Sequence, residues 1–460
     1  MDAKLIIEMI FLASSLVTIY LILRRRYLYL RLGMRNIRID TYFFGALLGP
    51  ILIILFGFLN LSQILTGLEG TRGLNPFGIL VLFLSMVFMS IFLDITGFFE
   101  YCARVALKYA SGNGHRLYFS VYLTVSLLTI FTSNDIIILT FTPFIYYFSK
   151  NAGIDPKPYL IAEFFAANTW SMMLYIGNPT NIVLAAAFNL RFDEYTKWML
   201  LPALAAGFIN MILLYLIFKK KINQPLKHIE TINPRSAITD PISTILGLTM
   251  LAGCIIGLVI APYYGVDMWI ISLGFGLALL LLLLLRDLIV VFTKEHLNKK
   301  HLTVQSTIKK MPLSIIPFVL SLFITVEALR IYGITNDIGM YFNNICGAST
   351  TATTFIYGIS SAFTANILNN IPMTVAFVPI ISASSQTTLL PAALATTIGS
   401  NLGANITPLG ALAGIMWISI LRDKEVKLSF KEFVTYGLLI TPITLLACLG
   451  ILAAEFLLFL

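Results

Sequence analysis

Residues 133–143 read SNDIIILTFTP, and residues 369–379 read NNIPMTVAFVP. In each stretch an asparagine stands nine residues before a proline, as Asn134 before Pro143 and Asn370 before Pro379. A second polar motif then follows at a similar distance in both halves. Letter-by-letter identity between the stretches is weak, so the shared spacing carries the argument. It indicates an internal repeat.

The composition around these stretches is that of a membrane protein. The chain has 460 residues, of which 58% are hydrophobic and 12% are charged, whereas soluble domains are about 25% charged. One bilayer crossing takes about 20 apolar residues. We therefore predict an all-α polytopic membrane protein with about 10–12 spans, since blocks almost free of charge occur at 5–23, 42–59, 76–98, 198–218, 241–262, 268–285, 313–329 and 432–460.

The distribution of basic residues predicts an orientation in the cell (cytoplasmic or inner) membrane. Cytoplasmic loops are enriched in lysine and arginine. The N-terminus is then outside, and the spans at 76–98 and 313–332 cross in opposite directions, which is the pattern of inverted-topology repeats. The same loops account for the net charge of +9 without a nucleic-acid partner. The basic loops are 24–38, 99–116, 219–235, 294–310 and 422–431, and the predicted external loops are 61–75 and 333–350.

This topology divides the chain into four parts. They are an N-terminal two-helix scaffold at 1–75, a first inverted repeat at 76–218, linking loops with a two-helix scaffold at 219–312, and a second inverted repeat at 313–460.

Polar and helix-breaking residues gather at four places inside apolar surroundings, two in each half. Broken backbone is tolerated at membrane depth only within protein or beside a polar cavity, so the four clusters predict one shared central site. The alternative is that these side chains only bond helix to helix. The predicted substrate- and ion-binding residues are Ser133, Asn134, Asp135, Asn168, Thr169, Asn178, Thr180, Asn181, Asn369, Asn370, Ser400, Asn401, Asn405 and Thr407.

Two carboxylates are candidates for coupling transport to an ion gradient. Asp135 lies inside the first cluster, and ionisable residues within membrane segments are functional by default; alternatively it accepts hydrogen bonds at a helix end. Glu163 lies five residues before Asn168 and is either a second proton site or an interfacial residue. Asp94 and Glu327 lie near span ends and are weaker candidates.

At the four clusters the sequence resembles the arsenite/antimonite permease family, within the ion-transporter superfamily that includes sodium/proton antiporters and dicarboxylate carriers. The motifs are those quoted above together with Asn178-Pro179-Thr180-Asn181 and residues 399–410, and the resemblance covers about residues 76–460. It implies paired re-entrant hairpins, a site between broken helices and coupling to an ion gradient. It also implies a homodimer, and a permease that works alone or with a soluble ATPase subunit, since this chain has no nucleotide-binding loop.

The sequence departs from that family at three positions. Aspartate is usual there in place of Asn168 and Asn401, and lysine in place of Asn405. Neutral asparagines suit a neutral or weakly charged substrate, or cation binding through oxygen atoms. A strongly anionic carboxylate would need a nearby cation, which bound sodium can supply.

Our functional prediction is a secondary active transporter of a small inorganic ion, and not an enzyme. The first hypothesis is arsenite/antimonite efflux driven by membrane potential or protons. The alternatives are a sodium-coupled carboxylate or inorganic-anion symporter and a sodium/proton antiporter. No cofactor is predicted beyond bound sodium or a coupling proton, and the partners are lipid and the transported ion. We expect elevator-like movement of a unit formed by residues 116–188 and 352–420 against the other spans.

Overall fold

The computed structural model describes residues 2–24, 27–32, 35–70, 75–224, 233–292 and 303–459. Most residues in these ranges are helical, and seven of the described helices are long and apolar enough to cross a membrane. Two shorter apolar helices, Tyr42–Leu55 and Asn370–Ile381, add to them. The prediction of an all-α membrane protein is confirmed. Parts of the basic loops at 219–235 and 294–310 lie outside the described residues.

The described residues of the N-terminal part form three helices and a pair of antiparallel strands. Strands β1 and β2 pair antiparallel from Tyr27 opposite Asp40 to Leu32 opposite Arg35. The arginine-rich segment was expected to be a loop, but its tyrosine and isoleucine residues favour strands. The elements are α1 (Ala3–Arg24), β1 (Tyr27–Leu32), β2 (Arg35–Asp40), α2 (Tyr42–Leu55) and α3 (Leu61–Glu69).

Two series of seven helices follow, in the same order of long, short and broken elements. The first is α4 (Pro76–Ile95), α5 (Phe98–Ala110), α6 (Gly114–Phe131), α7 (Asn134–Ala152), α8 (Lys157–Trp170), α9 (Pro179–Ala187) and α10 (Phe192–Ile222). Between the series lie α11 (Pro241–Ile260), α12 (Met268–Phe292) and α13 (Thr303–Lys310). The second series is α14 (Ile315–Ile331), α15 (Ile334–Cys346), α16 (Thr350–Leu368), α17 (Asn370–Ile381), α18 (Gln386–Leu402), α19 (Leu412–Asp423) and α20 (Phe430–Phe459).

The last helices of the two series, α10 and α20, run antiparallel to each other. The Trp198 ring lies 4.7 Å from that of Phe456, near the start of α10 and the end of α20. At the other ends, the Phe218 and Tyr436 rings are 5.0 Å apart. Equivalent helices of opposite direction are what inverted repeats require.

Two segments predicted as loops, 99–116 and 333–350, each contain a short helix instead. In α5 the buried residues Phe99, Ala103 and Leu107 recur every four positions, so one apolar stripe packs inward. The equivalent helix α15 occupies most of 333–350. Charged residues on the opposite face of α5 gave the segment the appearance of a loop.

Each group of helices outside the two series packs on the first helix of the series that it does not directly precede in sequence. The pair α11 and α12 packs on α4, and the pair α1 and α2 packs on α14. The short helices have the same partners: α13 packs on α4, and α3 packs on α14. We call α6–α9 with α16–α19 and the residues between them the hairpin unit, and the rest of the described chain the scaffold.

Candidate ion and substrate site

Each half contributes a helical hairpin whose tip is buried. Thr132 and Ser133 join α6 to α7, whereas Asn369 alone joins α16 to α17. Asn369 has φ of 75°, a conformation that asparagine adopts more readily than most residues. Its side-chain amide donates to the carbonyl oxygen of Leu409 at 3.0 Å. This hydrogen bond ties the second tip to the broken helix of the same half.

Each half also contributes a broken helix. Residues 171–178 separate α8 from α9, and residues 403–411 separate α18 from α19. Proline follows at Pro179, and Pro408 lies within the second break. The Asn181 amide donates to the carbonyl of Ser171 at 2.8 Å, which satisfies backbone freed by the break. Protein groups thus replace the hydrogen bonds that hydrocarbon cannot supply.

The two breaks meet at Asn401. Its side-chain oxygen accepts from the amide of Asn178 at 2.8 Å, and its own amide donates to the oxygen of Asn181 at 2.7 Å. Beside it, the Ser400 hydroxyl donates to that of Thr180 at 3.1 Å. All five side chains are at most 2% exposed. The structure therefore joins predicted residues from α9 and α18 in one buried contact.

A second chain of amides crosses the unit near the first hairpin tip. Asn134 donates to Asn168 at 3.1 Å, and Asn168 donates to Asn405 at 3.2 Å. Asn405 in turn donates to the Thr169 hydroxyl at 3.3 Å. These four residues, predicted from three separate clusters, form one continuous network.

Three polar residues outside the predicted set bond to members of that set: Ser171, Asn210 and Asn366. The Ser171 hydroxyl lies 2.9 Å from the Asn401 oxygen, and Asn210 on α10 donates to Thr169 at 2.6 Å. The Asn366 oxygen accepts from the N–H and hydroxyl of Thr407, at 3.0 and 2.7 Å. Thr407 therefore faces α16 and the second break. Asn210 is an isolated amide in a long apolar helix, and that is the signal that could have found it.

The two candidate coupling carboxylates lie at different places in the unit. Asp135 is half-buried in the first turn of α7, and the described residues place no cation in an ion pair with it. Glu163 is 0% exposed, and its Oε1 accepts from the Thr142 hydroxyl at 2.8 Å. Glu163 makes no described hydrogen bond to the asparagine network.

The weaker candidates, Asp94 and Glu327, lie on the scaffold and are paired. Asp94 accepts from Lys310 at 2.8 Å and from the Thr140 hydroxyl of the hairpin unit at 3.0 Å. Glu327 accepts from Arg330 on its own helix at 2.8 Å. These pairings indicate structural or conformational roles.

Oxygen atoms without protein partners point into both hairpin tips. Ser133 Oγ and Asn370 Oδ1 are buried, and the described residues give neither a hydrogen-bond partner. An unpaired buried polar group costs about 1–3 kcal/mol, so such atoms mark places where a ligand, an ion or water completes the structure. Lysine and arginine are absent from the buried polar side chains of the described ranges. The site therefore offers amides, hydroxyls and one carboxylate.

Two clefts separate the hairpin unit from the scaffold, and they occupy equivalent places in the two halves. The larger, of about 1490 Å³, lies between α5 and α7 and is lined by Pro143. The smaller, of about 260 Å³, lies between α14 and α17 and is lined by Pro379. The two prolines are those that end the repeated motifs. The two repeats thus share the same order of helices, but the cleft beside the first repeat is wider than the cleft beside the second.

Comparison with known proteins agrees with this architecture. The sequence model of a family described as a citrate transporter matches residues 41–399. The chain belongs to this citrate transporter family. It is therefore an integral membrane protein and a transporter.

The chain is also similar in sequence to proteins named as arsenical pump membrane proteins. The chain is 27% identical over 381 residues to the arsenical pump membrane protein of Escherichia coli (strain K12), which covers 81% of this chain and 85% of that protein. It is 25% identical over 425 residues to the putative arsenical pump membrane protein of Bacillus subtilis (strain 168), covering 87% and 91%. The resemblance to arsenite permeases is confirmed.

The fold of this citrate transporter family member is also found in a solved structure. The crystal structure of the Alcanivorax borkumensis YdaH transporter, which has an unusual topology, aligns over 98% of both chains with a TM-score of 0.57. Sequence identity is 14%, so the similarity is one of fold.

Proposed function

We propose that this transporter exports arsenite or antimonite from the cytoplasm, driven by membrane potential or by protons. The observation that carries the proposal is the chemistry of the buried network, which consists of amides and hydroxyls such as Asn401, Asn168 and Thr169. At neutral pH arsenite is an uncharged trihydroxide, so the membrane potential drives its export only through the charge of a coupled ion. The hydroxyl groups of arsenite both donate and accept hydrogen bonds, and a side-chain amide offers an accepting oxygen and a donating nitrogen for them.

A carboxylate substrate fits the same surroundings less well. Citrate carries several negative charges, and buried charge without a partner is expensive. The described ranges contain no buried lysine or arginine to pair with it. A sodium-coupled carboxylate symporter nevertheless remains the second candidate, because the chain belongs to the citrate transporter family and because Ser133 Oγ and Asn370 Oδ1 are free to bind sodium. A sodium/proton antiporter would use Asp135 and the same oxygens.

The two unequal clefts support alternating access by movement of the hairpin unit against the scaffold. With the N-terminus outside the cell membrane, as the basic loops predict, the larger cleft opens to the cytoplasm. That cleft carries Glu100 and Arg104 from α5 and Phe141 from α7 in its wall. In this state the unit would accept substrate from inside, and movement along the scaffold would close this cleft and widen the smaller one.

The first experiment measures arsenite accumulation in a bacterial host that lacks its own arsenite export. The intact protein is compared with Asp135→Asn and Asn370→Ala, and with Asn344→Ala as control, because Asn344 is exposed on α15. We expect the intact protein and the control to lower cellular arsenite, and both site variants to fail while reaching the membrane.

Everted vesicles from the same cells test the second candidate. Sodium-dependent citrate uptake without arsenite transport would reject arsenite export and support the symporter. Arsenite uptake that does not need sodium would support export.

A further inference from the structure

One carboxyl group in the hairpin unit is fully buried although it makes no described hydrogen bond to the asparagine network. Glu163 on α8 is 0% exposed, and its Oε2 has no hydrogen-bond partner among the described residues. A carboxylate removed from water without a cation costs several kcal/mol, so the group is stable there only when neutral. Glu163 therefore holds a proton in this conformation.

The surroundings of Glu163 are neutral on every described side. Thr142 of α7 donates to Oε1 at 2.8 Å, and the indole of Trp417 on α19 lies beside the carboxyl. Lys157, which pairs with Glu432 of α20, lies six residues earlier at the start of α8, which is about 9 Å along the axis. Asp135 is seven residues before Thr142, about 10 Å along α7. The elements packed around Glu163 bring no other titratable group against it in the described ranges.

Glu163 is also placed between the larger cleft and the asparagine network. Phe141 and Pro143, on either side of Thr142, line the cleft. Pro143 has no N–H and interrupts the hydrogen-bond ladder of α7 at this point. Asn168 lies five residues after Glu163, about 7 Å along α8. Thr142 itself does not line the cleft, and its hydroxyl faces Glu163, so α7 is the helix that lies between the carboxyl and the cleft.

We propose that Glu163 is the proton-carrying residue of the transport cycle, held by the Thr142 hydroxyl against α7, the helix that forms a wall of the larger cleft. One proton binds the carboxylate while the hairpin unit faces outward, travels inward with the unit as a neutral carboxyl, and leaves as H⁺ when the larger cleft is open to the cytoplasm. The proton therefore moves in the direction opposite to the exported arsenite, so that its inward gradient drives export. This cycle rests on the proposed function. It places proton coupling on α8, apart from the substrate site at the hairpin tips.

Infrared difference spectroscopy tests the assignment without any substrate. Purified protein in lipid should show a protonated-carboxyl band at neutral pH that is lost in Glu163→Gln. The matched control is Glu455→Gln, which makes the same change at a buried glutamate of the scaffold whose Oε2 is also unpartnered. A spectrum of Glu163→Gln that is identical to that of the intact protein would overturn the proposal.

Transport in proteoliposomes then tests coupling, with arsenite as the probe. We expect Glu163→Gln and Thr142→Val to exchange labelled for unlabelled arsenite at equal pH, but to lose accumulation driven by a pH gradient. Thr142→Ser should restore it, because serine keeps the hydroxyl. Gradient-driven accumulation that persists in Glu163→Gln overturns the inference, as does an intact protein that ignores the gradient. If the intact protein moves no arsenite, the proposed function fails, while the infrared result still decides the role of Glu163.

Discussion

Asn401 connects the two broken helices through a single side-chain amide. Its oxygen and nitrogen reach Asn178 and Asn181 at 2.8 and 2.7 Å, and its nitrogen also lies 2.8 Å from the Thr397 carbonyl. Because all of these residues are buried, water cannot replace the lost hydrogen bonds when the Asn401 side chain is removed. Small changes at this position therefore have large consequences for the geometry of the site.

We predict that Asn401→Ala abolishes transport and lowers the stability of the folded protein by about 1–3 kcal/mol, because buried partners are left unsatisfied. The measurements are arsenite accumulation in cells and thermal unfolding of the detergent-purified protein. Asn344→Ala, at an exposed position of α15, should change neither. Normal transport by Asn401→Ala would show that the contact between the breaks is not needed.

At the scale of elements, both repeats use the same junction between their first two helices. Gly97 precedes α5 with φ of 84°, and Gly333 precedes α15 with φ of 77°. A left-handed conformation favours glycine because a side chain crowds the backbone there. The surroundings differ, since a Cβ on Gly97 would meet the carbonyl oxygen of Ala237, whereas Gly333 has only the end of Lys4 nearby.

This difference gives a matched pair of substitutions. Both Gly97→Ala and Gly333→Ala should lose about 1–2 kcal/mol from the left-handed backbone. Gly97→Ala should lose more, because α5 must also move away from the segment around Ala237. Thermal unfolding measured side by side checks the order, and equal losses in the two variants would contradict the packing described for α5.

The elements also show what sequence reasoning could and could not supply. Hydropathy and the Asn–Pro spacing of the repeats predicted long helices and the clusters at Asn134 and Asn370, because both are local patterns. The helices α5 and α15 were missed, since half of their residues face away from the core and read as loop. Pairings such as Asn168 with Asn405 are 237 residues apart in sequence and depend on how the two halves dock. No local pattern contains that information.

At the scale of the whole molecule, a side-chain hydrogen bond between described residues joins the hairpin unit to the scaffold beside the larger cleft. The Thr140 hydroxyl of α7 donates to Asp94 of α4 at 3.0 Å, and Asp94 is held in turn by Lys310. A comparable hydroxyl–carboxylate contact lies wholly within the scaffold, where Ser314 donates to Asp40 at 3.0 Å. If the unit moves, the first contact breaks in each cycle and the second does not.

Paired cysteines at these positions distinguish a moving unit from a rigid one. In a protein whose four native cysteines, all free, are replaced by alanine, we expect a short bifunctional thiol reagent to join Thr140→Cys to Asp94→Cys and to stop transport. A reducing agent should restore it, because the reagent's links are disulfides. The same treatment of Ser314→Cys with Asp40→Cys should leave transport running, since both residues belong to the scaffold. Continued transport with the first pair fully cross-linked would mean that α7 and α4 keep their relative positions throughout the cycle, and that substrate crosses without movement of the hairpin unit.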